Sequence, residues 1–307
     1  MGDIVKISLD NTTNKDLLKG TLRKLFDDTG KATPIEYPTV CNDLKTKDEY
    51  ERDARMAGLL RPSEIAEGQN IPIQSPAMGT TKTYPQRQFG TGFRMTFKMD
   101  FFNKYKLYNK LTKSLSKVMK EGKDAEIATM FNNFTSTSLT CGTGFDSLAI
   151  ASATHTLLPT SSTYSNYLNA ALSQSGLESA RYYFATLKDD RGYWMGSKPT
   201  HLVIEPTLWP TARVLIGSEY KPGEISNDIN VVPEMGLKLF EYHRLTSTTC
   251  WFVIAKNDEY DFNVFTALEP RMFFKDASDD TLDLVGLSLQ FFCYGWGSAK
   301  QLYCGRA

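Results

Sequence analysis

The sequence predicts an α+β fold, and three stretches predict it. Phe101–Lys120 carries apolar residues at helical spacing, Thr249–Ala255 (TCWFVIA) is an unbroken apolar run of strand length, and Thr281–Tyr294 alternates as an extended strand does. With 307 residues, 41% of them hydrophobic, the chain can build one large core or two ordinary ones.

From the N-terminus, residues 1–40 are turn-rich and hold little apolar surface, with a short helix at Asp16–Phe26. Asp43–Leu60 (DLKTKDEYERDARMAGLL) is dense in charge and reads as a helix ended by Gly58 or Pro62. Gly68–Phe93 follows, with prolines at 72, 76 and 85 and glycines at 79, 90 and 92, so it is a functional excursion or an extended hairpin that finds its contacts elsewhere.

In Phe101–Lys120, Leu107, Tyr108, Leu111, Leu115, Val118 and Met119 share one helix face, and Lys106, Lys110, Lys113, Lys117 and Lys120 share the opposite one. That stripe of one sign is either a solvated back face or a surface for a polyanion. Past Gly122 the apolar phase moves to Ile127, Met130, Phe131 and Phe134, which predicts a kink or a restart. Cys141–Thr163 reads as loop and Leu177–Leu187 as helix, with a turn at Asp190-Arg191-Gly192.

His201–Ile204 is strand-like until Pro206 stops it, and a helix follows, capped by Thr207 or opened by Pro210 and ended at Gly217. Arg271–Lys275 is a further strand, and Asp276–Asp280 turns the chain into Thr281–Tyr294. There the alternation slips by one residue at Val285-Gly286, as at a bulge, which predicts a long bent hairpin near the C-terminus.

The search for chemistry is negative. The strand-turn-helix after Lys198 lacks the glycines and Lys-Ser/Thr pair of a phosphate loop and the flanked serine of a nucleophile elbow. His155, His201 and His243 are far apart, so a metal or hydrolytic set needs three distant elements. CGTGFDS lacks the third glycine of a dinucleotide fingerprint. The pairs Asp189-Asp190 and Asp279-Asp280 sit in predicted turns, where adjacent carboxylates are exposed and diverge. Asp258, Glu259 and Asp261 lack the glycine and terminal Glu of a calcium loop.

Charge balances at 35 basic and 35 acidic residues, so no global field selects nucleic acid or membrane. Cys41, Cys141, Cys250, Cys293 and Cys304 form an odd, scattered set that reads as free thiols in a reducing compartment. Apolar runs fall short of the roughly 18 residues of a membrane span, and no basic-then-apolar leader opens the sequence, which leads to the expectation of a cytoplasmic folding site.

The segments FGTGFRMTFKMDFFNKY, GFDSLAIASATHTLL, LESARYYFATLKDDRG, KPTHLVIEPTLWPTARVLIGS and TCWFVIA follow one another in an order that resembles the major capsid proteins of tailed bacteriophages. These share the Hong Kong 97-type fold, and the strongest local match is to the Mu-like type. The resemblance covers most of the chain and implies an N-terminal arm with a charged helix at 1–67 and an extended β-hairpin loop at 68–100. A spine helix of the peripheral domain at 101–139, a mixed α/β axial domain at 140–268 and return strands at 269–307 complete it. Trp209 then fills space in the axial core.

What the resemblance implies is self-assembly, as hexamers and pentamers, into an icosahedral shell for phage double-stranded DNA. The protein is then part of the virion, assembled in the bacterial host cytoplasm, with no catalysis, cofactor, metal or membrane partner. Its partners are copies of itself, a separate scaffolding protein, a portal and a decoration or cement protein. Lys82, Arg87, Arg94 and Lys98 are candidates for contact with a neighbour. Lys106, Lys110, Lys113, Lys117 and Lys120 are candidates for non-specific contact with packaged DNA. Some members cross-link a loop lysine to an asparagine near the C-terminus; Lys82 lies in the right loop, but no asparagine follows Asn263, so the expected shell is not cross-linked. The chain reaches its arm directly after Met1, which leads to the expectation of no removed scaffolding segment. Two rivals remain: an encapsulin-like nanocompartment, and a cytoplasmic hydrolase built on His155, His201 or His243.

Overall fold

The computed structural model describes residues 11–96, 98, 102, 105–157, 162–221, 228–276 and 283–307. In chain order the elements begin with α1 (Asn11–Ala32), α2 (Tyr37–Val40), β1 (Asn42–Lys45), β2 (Tyr50–Ala57), β3 (Ala77–Pro85), β4 (Arg87–Met95) and α3 (Tyr105–Asn132). Then come β5 (His155–Thr156), β6 (Thr163–Tyr164), β7 (Tyr167–Leu168), α4 (Gln174–Thr186), β8 (His201–Ile204) and α5 (Trp209–Gly217). The chain closes with β9 (Lys238–Glu241), β10 (Trp251–Ile254), β11 (Phe262–Asp276), β12 (Leu284–Trp296) and β13 (Leu302–Gly305).

These elements fall into two compact units, Met1–Ile35 with Gln86–Ala125 and Thr266–Phe292, and Glu36–Pro85 with Glu126–Phe265 and Cys293–Ala307. Helix α3 and strands β11 and β12 contribute residues to both. In the first unit β12 pairs antiparallel with β4, from Leu284 opposite Met95 to Phe292 opposite Arg87. Helix α1 is longer than the sequence predicts because Leu22 and Phe26, one turn apart, each reach a cluster: Leu22 meets Met95 and Tyr108, and Phe26 meets Leu115, Met119 and Met272.

No bulge interrupts the β12–β4 ladder at Val285-Gly286, where the register runs through unbroken. The hydropathy slips because the buried face of β12 carries small and polar residues, Gly286, Ser288 and Gln290, while Leu287 points outward. A Cβ added at Gly92 would stand 2.6 Å from the Gly286 carbonyl oxygen, so β4 approaches β12 this closely only without a side chain at 92. The turn predicted at Asp276–Asp280 lies largely outside the described residues.

Helix α3 is continuous through Gly122, so it does not restart there. Leu107 and Val118 are exposed, and its buried side is laced with Thr112, Ser116, Lys123 and Asp124. Partners make two of these tolerable: Ser116 donates to the Phe26 carbonyl at 2.7 Å and Lys123 donates to Thr266 at 2.7 Å.

The second unit is built on a five-stranded sheet in the order β7-β13-β10-β8-β9. Strands β8 and β10 read as unbroken apolar runs because both faces are covered. On one face Leu202, Ile204, Trp251 and Val253 pack with Leu177, Phe184, Ala212 and Leu215 of α4 and α5. On the other, Phe252 meets Phe131 and Phe134 edge-on at 5.7 and 5.1 Å. Ser173 caps α4 by accepting from the Gly176 amide. The residue that caps the turn before α5 is Glu205, which accepts from the Thr207 amide at 2.8 Å, and Trp209 is 42% exposed instead of filling the core.

Candidate assembly surfaces

The charge-dense stretch predicted as a helix is instead strand. Helix-compatible residues lose that preference because β2 pairs antiparallel with β3 over Tyr50–Ala57 and Ala77–Pro85, and the ladder between them replaces helical hydrogen bonds. The extended hairpin therefore begins upstream of residue 68, and its return strand is β3; β4 belongs to a different sheet.

The root of this hairpin is fixed by ionic groups taken out of water. The β2–β3 register shifts between Ala54 and Met56, and Arg55 lies on the inward phase of β2 together with Glu51, Asp53 and Ala57. Its guanidinium meets Asp190 at 2.7 and 3.3 Å and the Thr156 carbonyl at 2.6 Å, while Lys300 reaches the same Asp190 oxygen at 2.7 Å. Burial alone would raise the Asp190 carboxyl, but hydrogen bonds from Arg55 and Lys300 hold it below the usual carboxylate range. The turn at Asp189–Gly192 is present as predicted, yet its two carboxylates diverge to unlike tasks: Asp189 accepts from the Arg191 and Tyr193 amides, and Asp190 is a buried anchor.

Lys82 lies opposite Asp53 in the hairpin ladder. Its ammonium stands 4.9 Å from the Tyr84 ring and 5.5 Å from the Trp296 ring and donates to the Trp296 carbonyl at 2.8 Å. Burial pushes its pKa down to about 8, with Cys141, Asp261 and Asp53 opposing. Nearby, burial and then the Asp53 charge push the Asp261 carboxyl up to about 6; Asp261 accepts from the Ser298 amide at 2.8 Å and from Asn263 at 2.9 Å. Thr80 adds a bond to the Phe145 carbonyl at 2.7 Å. The sequence excludes Asp261 only as part of a calcium loop; the apolar alternation of β11 that follows it is the local signal for its partial burial.

The far end of the hairpin is the reverse of its root. Across the connection from Gly58 to Pro76, Leu59, Leu60, Ile65, Ile71 and Ile73 are exposed, Ile71 at 77% and Ile73 at 97%. Its first residues are tied down: Arg191 donates to the Gly58 carbonyl, and the Arg61 guanidinium lies 4.7 Å from the Tyr193 ring.

Of the sequence-predicted contact residues, Lys82 is spent inside its own copy. Arg87 lies 4.9 Å from the Phe89 ring, Arg94 is exposed with Asp283 at 4.0 Å, and Lys98 is exposed. Lys106, Lys110, Lys113 and Lys117 form one exposed face of α3, whereas Lys120 is partly buried and pairs with Glu269 at 3.0 Å.

The histidines do not assemble a hydrolytic site. His155 is buried with Nδ1 2.6 Å from Asp146 and Nε2 3.1 Å from the Ile150 carbonyl, so both nitrogens are engaged and neither faces a nucleophile. His201 contacts Thr200, and burial followed by Lys238 and Lys256 lowers its pKa. His243 pairs with Glu36 at the surface. Among the described residues no group of His, Cys, Asp and Glu is arranged to hold a metal ion, and no helix is long and apolar enough to cross a membrane.

A family model described as phage capsid protein matches residues 79–303. No curated protein matches the chain. Among solved structures, the virus-like particle from Pyrococcus furiosus superposes with a TM-score of 0.55 at 7% identity, covering 94% of this chain and 98% of that one. The procapsid of bacteriophage JBD30 gives 0.55 at 10% identity over 96% and 75% of the two chains. The capsid of cyanophage P-SCSP1u gives 0.56 at 10% identity over 90% and 88%.

Proposed function

The chain belongs to the phage capsid protein family, with the Hong Kong 97-type α+β fold, and is a capsid shell component; from that premise we propose that it assembles as hexamers and pentamers into an icosahedral shell around double-stranded DNA. The observation that carries the assembly reading is the hairpin, rigid at a buried ionic root and apolar at its exposed end. Isolated exposed apolar residues are common, but five along one connection form a surface that favours a partner. Covering Ile71 and Ile73 alone is worth roughly 1.5–3 kcal/mol each before the cost of association. A neighbouring copy is the partner that a shell supplies at every such site.

Lys106, Lys110, Lys113 and Lys117 form the face of α3 assigned to packaged phosphate; Lys120, satisfied by Glu269, is released from that role. Arg94 and Lys98, exposed near the end of β4, stay assigned to contacts with a neighbour. Scaffolding, portal and decoration proteins complete the assembly. A shell enclosing protein cargo is the second reading, favoured by the full-length likeness to a virus-like particle. Expression with and without scaffolding candidates, followed by electron microscopy and nucleic-acid extraction from purified particles, separates the two. Particles holding DNA support the first reading, and particles holding only protein support the second.

A further inference from the structure

A groove of about 900 Å³ opens along α4 in the second unit. Its lining is aromatic and hydroxylic, with Tyr164, Tyr182, Tyr183, Tyr303, Ser175 and Ser179. Tyr183 and Tyr303 are buried, 5.2 Å apart, and the Tyr183 hydroxyl donates to the Lys300 carbonyl, which fixes the floor. Tyr182 is 71% exposed at the lip. Trp194, also exposed, lies beyond the turn that follows α4, its ring 5.1 Å from the Lys188 ammonium. Tyrosine-lined grooves with hydroxyl donors are the surfaces on which extended, proline-bearing peptides dock, because ring faces pack on pyrrolidines and the extended backbone has no internal hydrogen bonds.

The chain presents a segment of that chemistry. Asn70-Ile71-Pro72-Ile73-Gln74-Ser75-Pro76 lies outside any sheet, and its two isoleucines are bare on their own copy. Charge also favours the match, with Lys188 lining the groove and Arg181 beside it on α4, while the one carboxylate among the described lining residues, Glu178, accepts from Gln174 at 2.9 Å. From Pro62 to Pro76 the connection carries Glu64 and Glu67 and no basic residue, and both carboxylates are exposed. Arg181 and Lys188, exposed on and just past α4, have no carboxylate partner among the described residues. Pro72 to Pro76 spans about 12 Å in the polyproline form, and a helix of the length of α4 runs about 20 Å, so the groove is long enough to hold the segment.

We propose that Ile71–Pro76 of a second copy of this chain docks in the α4 groove, with Glu64 and Glu67 set against Arg181 and Lys188. This rests on the reading of the hairpin as an assembly element and goes beyond it by naming the receiving surface.

The test mixes two variants that each carry one added cysteine, Ile73→Cys and Ser179→Cys, assembles them together, oxidises them and separates them without reductant. The expected result is a disulfide dimer containing one of each, at least tenfold above either variant alone, which also sets the background from Cys141. Particles that form normally without mixed dimers above that background overturn the groove contact and leave the shell reading intact. If the wild-type chain forms no particles, the shell reading fails, and a synthetic peptide of residues 69–77 titrated onto the unassembled protein decides the groove by tryptophan fluorescence. Saturable binding that Tyr182→Ala weakens tenfold or more supports it. No binding, or binding only of an unrelated proline-rich peptide, overturns it.

Discussion

Asp261→Asn makes the protein more stable at neutral pH and leaves it unchanged in acid. The Asp261 carboxyl rises from 3.8 to about 6, first by burial and then by the facing Asp53 charge. That rise of about two units corresponds to ~3 kcal/mol at 1.36 kcal/mol per unit. A raised carboxyl binds its proton more tightly in the folded chain than in the unfolded one. Its contribution is therefore fully present below about 3.8 and lost as pH climbs through 6, so the ionised group is a liability at pH 7.5.

Asparagine keeps a side-chain oxygen to accept from the Ser298 amide and cannot ionise. It also removes a negative charge that faces Lys82, an attraction already contained in the value of about 6, so the expected net gain stays at ~2–3 kcal/mol at pH 7.5. Urea unfolding of the unassembled protein at several pH values between 5 and 8 measures this. The gain should grow with pH across 5 to 7.5. A difference that does not change with pH, or a variant less stable at 7.5 than at 5 relative to wild type, refutes the assignment.

Asp190→Asn leaves Arg55 and Lys300 buried without a counter-charge and costs about 3–5 kcal/mol, read by urea unfolding and by faster proteolysis between residues 58 and 76. Because the Asp190 carboxyl is held low, its stabilisation is lost as pH falls through its folded pKa, and the variant should show a flatter acid limb in a stability-pH profile. Replacing Lys110, Lys113 and Lys117 with Glu should spare empty particles and reduce retained DNA; unchanged retention returns that face to solvent. Particles boiled in sodium dodecyl sulfate should release a single 34.6 kDa species on a gel, since Lys82 is engaged by Trp296; a ladder of higher multiples contradicts this.

Elements whose partners lie nearby or whose burial is complete were legible in the sequence. α4 shows its apolar face, and β8 and β10 show the continuous runs of strands covered on both sides. Where tertiary pairing outweighed local preference, the sequence misled. Residues 50–57 have helical composition but are held extended by β3, and only the alternating exposure along β2 records it. On β12 the apolar phase does not mark the buried face, because Ser288 and Gln290 point inward while Leu287 points out; on α3 it marks that face in part, with Tyr108, Leu115 and Met119 buried as read but Thr112 and Ser116 among them and Leu107 and Val118 turned out. Apolar residues turned outward are what a protein that buries surface against copies of itself would carry, and hydropathy alone cannot tell that burial from a core. The ionic root was unreadable for a related reason: Arg55 and Lys300 stand 135 and 110 positions from Asp190, and nothing local marks Asp190 as buried.

Electron microscopy of the purified chain, alone and with scaffolding candidates, supported by sedimentation, tests the central claim most directly. Assembly predicts closed shells, tubes or six-membered rings in at least one condition. A monomer or small dimer that persists in every condition, with the hairpin end bare, contradicts it.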